Sequence, residues 1–173
     1  MAGRLTGIEQ TGAITEAFDR FYRDERTRVV ALAYALSGSR AAAEDLAQDA
    51  FLAVHQRWDG VDNPGAYVRQ TVANLARTRF RRLGRESKVR ARLRARPSEF
   101  TELEPADGEF WRAVANLAPR QREVVALFYV DDQSVAQITE TLDIAAGTVK
   151  STLHDARVAL SAALGESYSE ELP

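Results

Sequence analysis

Apolar residues recur at three- and four-residue spacing from Ile14 to Leu160, and no stretch alternates with the two-residue period of a strand. Such a chain can bury its hydrophobic side chains only by packing helices on helices, so the fold class is all-α. The first stripe runs Ile14, Phe18, Phe21, Tyr22, Val29, Leu32, Ala33, Leu36. Ser37-Gly38-Ser39 ends it, glycine being the usual residue just past a helix C-terminus. A second helix buries Ala43, Leu46, Ala47, Ala50, Phe51, Val54 and Trp58. Residues 59–65 form a turn-rich loop by their Gly, Pro, Asn and Asp content. A third helix carries Tyr67, Val68, Val72, Leu75, Ala76 and Phe80. Residues 1–11 have no pattern and read as a loose leader.

Charge divides the chain further. The formal balance is only −2 over 173 residues, but it is segregated. Residues 69–96 hold Arg69, Arg77, Arg79, Arg81, Arg82, Arg85, Lys88, Arg90, Arg92, Arg94 and Arg96 against Glu86 alone. Residues 97–107 then turn acidic and contain Pro97 and Pro105, which marks a linker and a domain boundary. The expectation is two small helical domains, 13–85 and 107–164, joined by a charged flexible linker, 86–106, with a disordered tail, 165–173.

Several function classes are excluded by what is missing. Cysteine is absent and His55 and His154 lie far apart, so neither a disulfide framework nor a metal site is expected. The chain shows no phosphate-cradling glycine loop, no nucleophile elbow and no H-E-x-x-H, hence no catalytic residue and no cofactor. No apolar run approaches the ~20 residues of a membrane span and the start lacks a signal-peptide core. The expected place is the cytoplasm, with no membrane partner.

Two polar faces need an explanation. On the second helix Glu44, Asp45, Gln48 and Asp49 gather opposite the buried side. Acids near a helix N-terminus gain about 0.3–1 kcal/mol from the macrodipole, which accounts for Glu44 and Asp45. Gln48 and Asp49 lie too far along for that, and an anionic strip beside Phe51 and Leu52 also suits protein docking. On the third helix Gln70, Asn74, Arg77 and Arg81 form one stripe that turns cationic. A solvated helix end explains it, and so does a polyanion, since clustered like charges cost stability until neutralised.

The second unit ends in a recognisable local pattern. Phe110, Val114, Leu117, Val124, Val125, Leu127 and Phe128 supply its first helices, with Pro119 near a helix start. Ser134 and Gln137 make a capping box ahead of Val135, Ile138 and Leu142. After the turn at residues 143–146, Val149, Leu153, Ala156 and Leu160 define a second buried face. The opposite face offers Thr148, Lys150, Ser151, Thr152, His154 and Asp155, groups able to reach bases or phosphates. Two helices across such a turn make a helix-turn-helix, although a plain helical hairpin shares the pattern.

The ordered motifs carry a resemblance. They are residues 43–51 (Ala-Glu-Asp-Leu-Ala-Gln-Asp-Ala-Phe), Asn63-Pro64-Gly65-Ala66-Tyr67-Val68 running to Asn74 and Arg81-Arg82, then 117–122 and 147–151. Together they resemble extracytoplasmic-function sigma factors of bacterial RNA polymerase, in particular the actinobacterial sigma-E-like branch. The resemblance covers about residues 13–83 and 107–164, sigma regions 2 and 4. It implies that Asp45, Leu46, Gln48, Asp49, Phe51 and Leu52 grip the β′ coiled coil of core polymerase. It implies that Asp62, Asn63, Tyr67, Gln70, Asn74, Arg77, Arg81 and Arg82 hold the melted −10 element. Gly147, Thr148, Lys150, Ser151, Thr152, His154 and Arg157 would face the −35 element. Further implied partners are the β flap and an anti-sigma factor, with a monomer when free. The chain departs from the family at Asp143, where a turn glycine is usual, at Ala145, which forgoes a cap, and at Thr78, Thr152 and Asp155. A free-standing helix-turn-helix regulator and a degenerate sigma-like interaction protein are the alternative readings.

Overall fold

Ser37-Gly38-Ser39 does break the first stripe. In the computed structural model, which describes residues 7–92 and 108–165 and the side chains of 14–82 and 109–165, helix α1 spans Gly7–Ser37. Gly38 takes φ 68°, a conformation that costs glycine nothing. Ser39 then caps α2 (Arg40–Gln56), its side chain accepting from the Ala42 N–H. A 3₁₀ turn, Trp58–Gly60, comes next, and α3 covers Pro64–Arg92. Asn63 starts α3 by accepting the Ala66 N–H at 3.0 Å through Oδ1. Two boundaries differ from expectation: α1 begins inside the expected leader, and α3 persists to Arg92, into the expected linker. Arginine and lysine are good helix formers, so like charge alone does not stop propagation. Residues 1–6, 93–107 and 166–173, which hold the rest of the leader, linker and tail, lie outside the described residues.

The second unit contains α4 (Gly108–Asn116), α5 (Pro119–Val125), a π-helical segment (Ala126–Val130), α6 (Val135–Leu142) and α7 (Ala146–Leu164). Pro119 sits in the first turn of α5, and Gln121 accepts the Ala118 N–H through its side chain. The capping box forms: Ser134 Oγ accepts from Gln137 N and Gln137 Oε1 from Ser134 N. Asp143 adopts φ 51° at the turn, so the aspartate does stand in for glycine there, and Ala145 supplies no side-chain cap. Among the described residues there is no strand.

Aromatic rings close the α1–α2 contact. Phe51 stands edge-on to Tyr22 at 4.7 Å, while Phe18 and Phe21 each approach Trp58 at 5.3 Å. The two units then share one core. Val29, Leu32 and Leu36 of α1 and Val68, Val72 and Ala76 of α3 are buried in a continuous cluster with Val124, Leu127, Ile138, Leu142 and Val149. A smaller cluster of Val114, Leu117, Val125, Ala156 and Leu160 belongs to the second unit alone. The chain is therefore two helical units docked face to face, a contact no periodicity announces.

Candidate nucleic-acid interface

The anionic strip of α2 splits by helix geometry. Leu46 and Phe51 are 5% and 3% exposed and serve the core, as their place in the apolar stripe dictates. Asp45, Gln48, Asp49 and Leu52 are exposed and recur at i, i+3, i+4, i+7, which puts them on one face. Leu52 is 55% exposed, a large apolar side chain flanked by acids. Glu44 is drawn off to Arg26 of α1 at 3.3 Å, a half-exposed pair of small energetic weight. What remains is an exposed anionic face with one large apolar side chain on it.

The α3 stripe is occupied. Asn63 is the helix cap already described, and Asp62 beside it is exposed. Tyr67 is half-buried, and its hydroxyl accepts from Arg57 Nη1 at 3.1 Å. Gln70 is half-buried and Asn74, Arg81 and Arg82 are exposed, with Asn74 Oδ1 accepting from Arg77 Nη1 at 3.3 Å. Arg77 itself makes a two-pronged pair with Glu123 of α5: Nε and Nη2 each lie 2.8 Å from one carboxylate oxygen. The hydrogen bond to Glu123 holds the Arg77 pKa above the ordinary arginine value, despite partial burial.

Further side chains, which the sequence pattern did not mark as sites, tie the units together. Arg69 is buried and donates to Glu25 of α1 at 2.7 Å, to the Gly65 carbonyl at 3.0 Å and to both oxygens of Asp131. Burial would lower its pKa, but the hydrogen bonds and charges of Asp131 and Glu25 more than offset that and raise it. Asp131 also accepts from Gln133 Nε2 at 2.9 Å, and Gln133 accepts from Thr141 at 3.2 Å, so the polar chain runs on into α6. Arg122 stacks on Phe80 of α3 at 4.6 Å and donates to the Leu117 carbonyl and, at 3.5 Å, to that of Leu36. Desolvation lowers its pKa, with Glu123 opposing. An acid at the head of the apolar run Val124, Val125, Ala126, Leu127 was the available signal for Glu123.

Helix α7 presents a polar face. Gly147, Thr148, Lys150, Ser151, His154 and Asp155 are exposed and Thr152 is half-buried, while Val149, Leu153, Ala156 and Leu160 are buried as the spacing requires. Arg157 is half-buried; its Nε donates to Tyr129 Oη at 2.7 Å and it lies over Phe128 and Tyr129. The expected −35 contacts thus share one helix, but Arg157 is held toward the protein. Among the described residues no cluster could hold a metal ion.

Comparison with known proteins gives this geometry a family. The sigma-70 region 2 family matches residues 21–86, and the sigma-70 region 4 family matches residues 107–160. The RNA polymerase sigma-E factor of Streptomyces avermitilis is 30% identical over 143 residues, covering 80% of each chain. The extracytoplasmic-function sigma factor SigE of Mycolicibacterium smegmatis is 29% identical over 174 residues, covering 91% of this chain and 65% of that one. The chain thus spans about two thirds of that relative's length. Among solved structures, the sigma factor RpoE in complex with the anti-sigma factor NepR from Bartonella quintana shares the fold. Its TM-score is 0.64 at 24% identity, over 84% of this chain and 96% of that one. Two sigma-70 regions in order on this two-unit helical fold, with a sigma-E relative alike over most of both chains, place the protein in the sigma-70 family of RNA polymerase sigma factors, as an extracytoplasmic-function member.

Proposed function

We propose that the chain is a dissociable promoter-specificity subunit of RNA polymerase, acting in the cytoplasm without catalysis of its own. The observation that carries this is the pairing of two surfaces on one three-helix bundle. The exposed Asp45, Gln48, Asp49 and Leu52 face lies on α2, and the cationic stripe of Arg77, Arg81 and Arg82 lies on α3. A free-standing regulator has no use for the first surface, and a pure docking protein has none for the second. In this reading the α2 face engages the β′ coiled coil of core polymerase. Tyr67, Asn74 and the arginines of α3 stack on and neutralise the melted −10 strand, with aromatic stacking contributing about 1–3 kcal/mol per base. The polar face of α7 enters the major groove of the −35 element, and the β flap holds the second unit. An anti-sigma factor is a further partner of this reading, supported by the complex in which the Bartonella relative was solved.

Transcription by purified core polymerase plus this protein on fragments of its own genome tests the assignment. Specific start sites that require the protein are the expected result. Core binding without any start site would instead support a sigma-like interaction protein.

A further inference from the structure

We propose that Arg57, which lies outside the basic run, is a further single-strand contact: its guanidinium holds a phosphate of the nucleotide whose base stacks on Tyr67. This rests on the reading of Tyr67 as a DNA contact.

The backbone fixes both residues before any partner arrives. Arg57 follows the last turn of α2, where its N–H donates to the Val54 carbonyl at 3.1 Å and its own carbonyl accepts the Gly60 N–H at 2.9 Å. Tyr67 stands in the first turn of α3. Its N–H donates to the Asn63 carbonyl at 3.0 Å, and its carbonyl accepts the Thr71 hydroxyl at 2.8 Å. The turn-rich loop thus leaves one locked position and returns to another, and the two side chains meet across its base.

A cation just past a helix C-terminus has an ordinary explanation in the macrodipole, and α2 gains from that charge. The dipole does not account for where the side chain goes. Arg57 Nη1 donates to Tyr67 Oη at 3.1 Å, and the guanidinium makes no ion pair with the exposed Asp59 or Asp62 of the loop. A neutral phenol holds a guanidinium more weakly than a carboxylate does, so the contact places the cation without neutralising it.

Stacking surface and charge are thereby brought to one place. Arg57 Cζ lies 6.0 Å from the Tyr67 ring centroid while Nη1 is bonded to the hydroxyl, so the guanidinium stands off the hydroxyl end of the ring and leaves its face uncovered. The ring is half-buried, and its accessible part can take any base by stacking. A base stacked there carries its sugar and phosphate to the rim, where the exposed Arg57 offers its remaining N–H groups. The position also fills a gap along α3. Arg69 is buried and Arg77 comes about two turns later, so the end of α3 beside the loop has no accessible cation of its own.

Binding of the full chain to a labelled fork-junction DNA with a mixed-sequence single-stranded arm, followed over a salt series, tests the proposal. Arg57→Ala should weaken binding about three- to tenfold and lower the slope of log affinity against log salt by about 0.7. Its thermal midpoint should not move, because the side chain is exposed. Arg57→Gln carries the test if the alanine variant fails to fold, and Arg57→Lys should keep the slope. Tyr67→Phe removes only the hydroxyl, and adding Arg57→Ala to it should still lower the slope by the same increment. A residue that merely positions Tyr67 loses affinity with no change in slope, and that result overturns the proposal. Arg40→Ala, at an exposed arginine on the other end of α2, should leave the slope as it is. An equal fall there means diffuse charge and overturns the proposal too. Tyr67→Ala separates the two claims. No loss of binding there removes the reading of Tyr67 and the proposal with it. A loss of about fivefold or more, beside an unchanged slope in Arg57→Ala, removes the proposal alone.

Discussion

Helices α2 and α3 are neighbours in one bundle, yet their polar faces are in opposite condition. On α2, Asp45, Gln48 and Asp49 are exposed and make no ion pair or side-chain hydrogen bond among the described residues. On α3, Asn63 caps a helix, Tyr67 holds Arg57, and Arg77 is gripped by Glu123. The difference comes from what each face meets in the fold. The α2 strip looks away from the second unit, whereas the α3 stripe lies where that unit docks. One face is open in this arrangement, while the Arg77 fork of the other is already taken up by Glu123.

The contrast can be broken from either side. The largest expected effect is on stability: Phe51→Ala should cost about 3–5 kcal/mol, since the ring is buried against Tyr22 and Phe21. Chemical denaturation checks it, and a loss below about 1 kcal/mol would return Phe51 to the contact surface. Asp49→Arg should reduce affinity for core polymerase by about 2 kcal/mol or more while moving stability by less than about 0.5 kcal/mol. Co-purification and a thermal melt of the same sample read both, and retained core binding would remove the α2 assignment. Arg81→Ala should weaken binding to fork-junction DNA and lower the slope of log affinity against log salt by about 0.7. An unchanged slope means the guanidinium contacts no phosphate. Smallest is Asp143→Gly, expected to gain about 0.5–1 kcal/mol by relieving φ 51° at the turn. It leaves both faces untouched and so calibrates the other three.

Local chemistry made the helices legible. Ser134 with Gln137, Pro119, Gly38 and the buried set of α7 each act through residues within one or two turns, which is what a sequence displays directly. The same logic placed Leu46 and Phe51 in the core from their spacing. What could not be read was partnership at a distance. Arg69 finds Asp131 62 residues away and Glu25 44 away, and Arg77 finds Glu123 46 away. Within the basic run all these arginines look alike; only docking of the second unit decides which become internal. The π segment was equally hidden, because its unbroken run of hydrophobic residues leaves no periodicity to measure.

That segment sets the angular position of Asp131 at its end. The Asp131 N–H bonds back to the Ala126 carbonyl at 3.1 Å, so one more residue is wound into the turn than an α-helix holds. The added residue rotates the downstream chain by about 100° about the axis. Asp131 meets Arg69, and α6 receives its chain, only in that rotated setting. Deleting Val130 should therefore leave helical content almost intact by circular dichroism while lowering the thermal midpoint, because Asp131 loses Arg69. An unchanged midpoint would assign the setting to the α6 core instead. The setting of Asp131 against Arg69 is thus carried by a single surplus residue.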